Sequence, residues 1–184
     1  NEAGNIYIAG STSSVNFLEF ENPPEEYSNQ DGFVARLNET GAYIDCIAFI
    51  GGGLGDYVKE IAVDQAGIIY IAGTTSSEDF PVANAFQEEN RTRWGGYDAF
   101  VAAMRPDCSS LVYSTYLGGQ SVDSAIDISV DSVGRAVVVG NTNSDDFPTV
   151  NPIQSVLGRD PPGGLSGDAF ITKFDRDGAP IFST

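Results

Sequence analysis

The apolar runs of this chain are short, and they return. Gly4-Asn5-Ile6-Tyr7-Ile8-Ala9-Gly10 comes back as Gly67-Ile68-Ile69-Tyr70-Ile71-Ala72-Gly73 and, more loosely, as Gly134-Arg135-Ala136-Val137-Val138-Val139-Gly140. Asp31-Gly32-Phe33-Val34-Ala35 recurs as Asp98-Ala99-Phe100-Val101-Ala102 and as Asp168-Ala169-Phe170-Ile171-Thr172. Ile47-Ala48-Phe49-Ile50-Gly51-Gly52 is repeated as Ser114-Thr115-Tyr116-Leu117-Gly118-Gly119, and Ile61-Ala62-Val63-Asp64 as Ile128-Ser129-Val130-Asp131. The spacing is about 67 residues, as from Gly67 to Gly134. A fixed period of this size means that each unit is one supersecondary element unable to bury its apolar face alone.

Within one unit the pattern predicts four strands, over 60–64, 68–73, 99–104 and 111–117. All are rich in Val, Ile, Tyr and Phe and are bounded by turn residues. No stretch sustains apolar spacing of three and four, so helices are minor. Asp64-Gln65-Ala66-Gly67 and Asp131-Ser132-Val133-Gly134 join the first strand to the second. Asn38-Glu39-Thr40-Gly41 and Asp175-Arg176-Asp177-Gly178 join the third to the fourth. In such turns Asp or Asn bonds its own backbone and Gly supplies positive φ. Short turns force antiparallel neighbours, so each unit reads as a four-stranded meander. The second strand is apolar on both faces, which demands cover on both sides. Small antiparallel sheets covered on both faces without helices pack against copies of themselves, and radial stacking of such sheets is a β-propeller.

The fold class is therefore all-β: a β-propeller segment of about three four-stranded antiparallel blades, spanning 1–184 with units near 1–52, 53–119 and 120–184. Propellers close with 4–8 blades. The chain is thus expected to be an arc of a longer protein or one subunit of a ring built from several chains. Its expected partners are further blades of the same longer chain, other copies or other protein subunits.

These linked motifs resemble the SBBP (seven-bladed β-propeller repeat) family of bacteria and archaea. The resemblance rests on Gly118-Gly119, Ile61-Ala62-Val63-Asp64, Gly4-Asn5-Ile6-Tyr7, Glu78-Asp79-Phe80-Pro81, Asp98-Ala99-Phe100-Val101 and Tyr113-Ser114-Thr115-Tyr116-Leu117. It covers essentially the whole chain. The first unit departs, with Asn16-Phe17-Leu18 for Asp-Phe-Pro and Cys46-Ile47-Ala48-Phe49 for Tyr-Ser-Thr-Tyr. The resemblance implies a secreted or cell-surface protein and brings no catalytic residues.

Charge narrows the partners. Nine basic residues stand against 26 acidic ones, for a net charge of −17. Such a surface repels phosphate backbones and anionic lipid, so neither nucleic-acid binding nor membrane insertion is expected. The chain has no His, which removes the commonest general base and transition-metal ligand. The expectation is a non-catalytic structural or protein-interaction module, extracellular or at the cell surface, with no enzyme activity, no catalytic residue and no cofactor. A calcium-dependent glycan-binding module and a segment of a polysaccharide-degrading enzyme are the alternatives.

The loops between units and the long second-to-third-strand loops should emerge on one face, because strands alternate direction. Loops as long as 74–97 and 141–167 commonly carry function. Candidate binding residues on that face are Asp56, Glu78, Asp79, Arg91, Arg93, Trp94, Asp123, Asp145 and Asp146. Repeated carboxylates suit Ca²⁺ in type, although no calcium-loop motif is present and no metal ligand is assigned. Gly51-Gly52-Gly53 and Gly118-Gly119 precede strands rather than helices, so they do not form phosphate cradles. Asp31, Asp98 and Asp168 each open a strand, and their recurrence points to a cap or an inter-blade hydrogen bond. Phe80-Pro81 and Phe147-Pro148 read as loop anchors. Cys108 stands where Gly41 and Gly178 stand, and Cys46 aligns with Tyr113. Their different places in the blade argue against a mutual disulfide.

Overall fold

A computed structural model describes residues 4–14, 17, 30–93, 95–158 and 167–184. Among the described residues, eleven strands form three antiparallel sheets. Blade 1 consists of β1 (Ile6–Thr12), β2 (Asp31–Leu37) and β3 (Ile44–Ile50). Blade 2 consists of β4 (Asp56–Val63), β5 (Ile69–Thr75), β6 (Asp98–Met104) and β7 (Leu111–Leu117). Blade 3 consists of β8 (Asp123–Val130), β9 (Ala136–Thr142), β10 (Asp168–Phe174) and β11 (Pro180–Ser183). Strands pair in chain order in every sheet, so each is a meander. The described residues contain no α-helix. The all-β reading and the blade topology hold, and the three sheets stack without closing into a ring.

Strand periodicity explains the stack. Ile69 and Ile71 of β5 pack with Val34 and Ile50 of blade 1, while Tyr70 and Ala72 pack with Ala136, Val138 and Phe170 of blade 3. Neighbouring residues of a strand point to opposite faces. Both β5 and β6 are buried at every position. Blade 3 buries one face: β9 and β10 alternate between buried and more exposed positions. The first strand of a unit begins at Asp56 rather than at Glu60, because the pairing of β4 with β5 runs on past a bulge between Val58 and Glu60. The same bulge recurs between Ala125 and Asp127 in blade 3.

One expectation is overturned. Cys46 and Cys108 are joined by a disulfide, with Cα atoms 5.9 Å apart. Alignment within the blade misleads here, because adjacent blades are staggered. The fourth strand of one blade lies against the third-to-fourth-strand turn of the next. The join between blades 2 and 3 shows the same contact in other residues. A Cβ placed on Gly178, in the turn of blade 3, would lie 2.7 Å from the Cβ of Tyr113 on β7. Cys46 and Cys108 thus occupy at one join the positions that Tyr113 and Gly178 occupy at the other. Cys108 has φ 58°, beside 70° at Gly41 and 93° at Gly178, so the turn reading of this position holds.

Candidate functional site

The loops entering blades 2 and 3 are built by one repeated network. In blade 2, Asp56 Oδ2 accepts the Gly52 N–H at 2.7 Å and the Ser77 hydroxyl at 2.8 Å. Asp79 Oδ1 accepts the Gly53 N–H, and Ser77 Oγ accepts the Leu54 N–H. In blade 3, Asp123 Oδ2 accepts the Gly119 N–H and the Ser144 hydroxyl, each at 2.7 Å. Asp146 Oδ1 accepts the Gln120 N–H, and Ser144 Oγ accepts the Ser121 N–H. Each inter-blade loop is therefore pinned to the long loop of the blade it enters, and the two loop sets share one face.

The paired glycines answer to crowding. None of Gly51, Gly52, Gly118 and Gly119 has positive φ. A Cβ on Gly51 would sit 2.3 Å from Asp31 Oδ1 and 2.9 Å from Asp56 Oδ2; on Gly118, 2.3 Å from Asp98 Oδ1 and 2.7 Å from Asp123 Oδ2. Only a residue without a side chain lets these carboxyl groups approach the backbone so closely.

The aspartates that open the third strands complete the join. Asp98 Oδ2 accepts the Arg91 N–H at 2.8 Å and a longer bond from Gln87 Nε2, which caps its own long loop. Just before it, the Tyr97 carbonyl accepts the Asp123 N–H of the next blade at 2.8 Å. At the other join, the Gln30 carbonyl accepts the Asp56 N–H at 2.7 Å. Burial raises the Asp98 carboxyl to about 7, with the Asp123 charge adding to the shift and Arg91 and Gln87 opposing it. Burial first, then the Asp56 charge, raises Asp31 to about 6. Asp56 and Asp123 are raised as well, chiefly by burial. In blade 3, Asp168 Oδ2 accepts the Gln154 side chain and the Gly158 N–H.

The candidate binding residues thus separate. Asp56 and Asp123 are wholly buried and present nothing to a ligand on the surface, because their carboxylates hold the loops from within. Glu78, Asp79, Arg91, Arg93, Asp145 and Asp146 are exposed on the loop face. The Arg93 N–H donates to the Gln120 carbonyl, linking the long loop of blade 2 to the entry loop of blade 3. Trp94 lies outside the described residues. Among the described residues no three His, Cys, Asp or Glu side chains cluster so as to hold a metal ion.

Loop anchoring repeats with the same ring spacing in all three blades. Ring centroids are 4.6 Å apart for Phe17 and Phe33, 4.6 Å for Phe80 and Phe100, and 4.7 Å for Phe147 and Phe170. Blade 1 keeps the ring contact although Leu18 stands where the others have Pro. Sequence reasoning missed the Asp–Asp juxtaposition across the joins. Its signal was present: Asp31 with Asp56, and Asp98 with Asp123, are both separated by 25 residues.

No curated protein matches the chain. The family profile described as a beta-propeller repeat (SBBP) matches residues 49–81 and 112–148. Each matched span runs from the fourth strand of one blade, through the Gly-Gly loop, to the Phe-Pro anchor of the next. The beta-propeller repeat profile thus falls across each of the two joins between the blades.

Proposed function

We propose that the chain is a non-catalytic scaffold and interaction segment of an exported β-propeller, whose outer blade faces dock further blades. The observation that carries this is a contrast between equivalent residues. Val34 and Val101 are fully buried under the following blade, whereas Ile171, in the same position on β10, is 44% exposed. Beside Ile171 lies a cavity of about 360 Å³ lined by Ile153, Gln154, Val156, Asp168 and Ala169. On the opposite side of the stack Ile6 and Ile8 are exposed, whereas their counterparts Ile69 and Ile71 are fully buried. Apolar surface of this kind is covered where a partner exists.

The carboxylates that a catalytic reading would nominate are engaged in loop pinning at both joins, which supports architecture over chemistry. The exposed loop-face residues Glu78, Asp79, Arg91, Arg93, Asp145 and Asp146 are the ones a protein partner would meet. The Cys46–Cys108 disulfide supports an extracellular or cell-surface location, since disulfides persist in oxidising compartments. Among the described residues no helix is long and apolar enough to cross a membrane.

Hydroxyl-radical footprinting of the protein as it occurs in its source tests the docking. Ile153, Val156 and Ile171 should be protected there and labelled in the isolated 184-residue chain. Strong labelling of all three in the source protein would overturn the proposal.

A further inference from the structure

Each join between blades buries two carboxyl groups, one from the third strand of the leading blade and one from the first strand of the next. Asp56, Asp98 and Asp123 are fully buried and Asp31 nearly so. One oxygen of Asp56, of Asp98 and of Asp123 is well supplied with donors: backbone N–H groups, a serine hydroxyl or the Gln87 amide. The other oxygen, Oδ1, has no hydrogen-bond partner in any of the four aspartates. The hydroxyls of Thr75 and Thr142 stand near Asp56 and Asp123 and favour their ionised forms, yet leave Oδ1 without a well-formed bond. The pairs meet at Gly51 through Asp31 Oδ1 and Asp56 Oδ2, and at Gly118 through Asp98 Oδ1 and Asp123 Oδ2, so one unpartnered oxygen faces each meeting point. The arrangement occurs at two joins built from different residues.

A buried carboxylate oxygen without a partner is costly, and two like charges side by side add to the cost. The donors present hold the carboxylates in place but supply no full positive charge. Arg91 acts on Asp98 from a distance, and no described Lys or Arg forms an ion pair with any of the four. A cation that takes oxygen ligands would balance two such negative charges.

We propose that each carboxylate pair, Asp31 with Asp56 and Asp98 with Asp123, binds one calcium-class divalent cation that ties adjacent blades together. Ca²⁺ accepts irregular shells of 6–8 oxygens, so backbone carbonyls and water would complete the two carboxylates; Mg²⁺ demands a stricter octahedron. With two carboxylates per site rather than three or more, affinity should fall in the range of extracellular modules, about 0.1–1 mM. The sites lie beneath the loop face, so the proposal stands apart from the docking reading.

The test uses chelator-treated chain at pH 7.5, titrated with CaCl₂ in a calorimeter and melted with and without 10 mM CaCl₂. MgCl₂ and NaCl at matched ionic strength serve as controls. Two equivalents should bind, and the melting temperature should rise on the order of 5 °C more in CaCl₂ than in the controls. Asp98→Asn should reduce the stoichiometry from two to one. Should that variant fail to fold, the native titration decides alone. Absence of calcium-specific heat and of any melting shift beyond the controls would overturn the proposal, and would leave a proton shared between the paired carboxyl groups. Two equivalents retained in an Asp31→Asn, Asp98→Asn chain would overturn it equally, by placing binding on exposed acids.

Discussion

Phe80 shows what one residue of the repeat does. Its ring lies against Phe100 and Tyr116, and its N–H donates to the Tyr116 hydroxyl, which in turn donates to the Ser77 carbonyl. Sequence, loop conformation and core packing meet in this side chain. Phe80→Ala should cost about 3–5 kcal/mol, read by denaturant unfolding. Phe147→Ala should cost less, because Phe147 is only partly buried. Asp131 offers a second residue-scale test. Its carboxylate accepts the Val133 and Arg135 N–H groups and the Arg135 Nε, with Lys173 Nζ 3.8 Å away. Chiefly through the Arg135 N–H, these contacts hold it down to about 2. A depressed folded-state value stabilises above the unfolded value near 4, and that contribution is lost as pH falls towards 2. Between pH 4 and pH 2, Asp131→Asn should therefore lose less stability than the native chain. Parallel acid limbs in the two unfolding curves would contradict this.

At the scale of elements, strands and turns were legible in the sequence because each carries its own signal. Val, Ile and Tyr runs mark the strands, and Asp or Asn followed by Gly marks the turns. The two buried faces of β5 were readable from Ile69-Tyr70-Ile71-Ala72 alone. What stayed hidden depended on how one sheet sits on the next. The Cys46–Cys108 bond needs the stagger between blades, which no local pattern encodes, although the Tyr113–Gly178 contact repeats it. Asp56 and Asp123 looked like surface ligands because they follow Gly-rich loops, yet the loops fold over them. The disulfide closes a loop across 62 residues of sequence, so its reduction should cost about 2–4 kcal/mol. Thermal melts with and without reductant measure that loss. Gly118→Ala should cost about 1–3 kcal/mol, since a methyl group there collides with Asp98 and Asp123.

For the whole molecule, the stack makes equivalent residues unequal. Val101→Asp would bury an unpaired charge between blades 2 and 3 and should cost about 4 kcal/mol or more in the chain. Ile171→Asp, at the same repeat position on an open face, should change the stability of the chain by about 0.5 kcal/mol at most. Equal losses in the two variants would mean that blade 3 is already covered. The backbone bonds from Asp56 to the Gln30 carbonyl and from Asp123 to the Tyr97 carbonyl carry one more implication. Both run the same way, with the acceptor on the earlier blade and the donor on the later one. The contact is head-to-tail, so no twofold axis can relate two copies through it, and a mirror-like dimer cannot use it. Extension proceeds by a single rotation applied again and again. If that rotation divides a full turn the result is a closed ring, and if it does not the result is a helix without end.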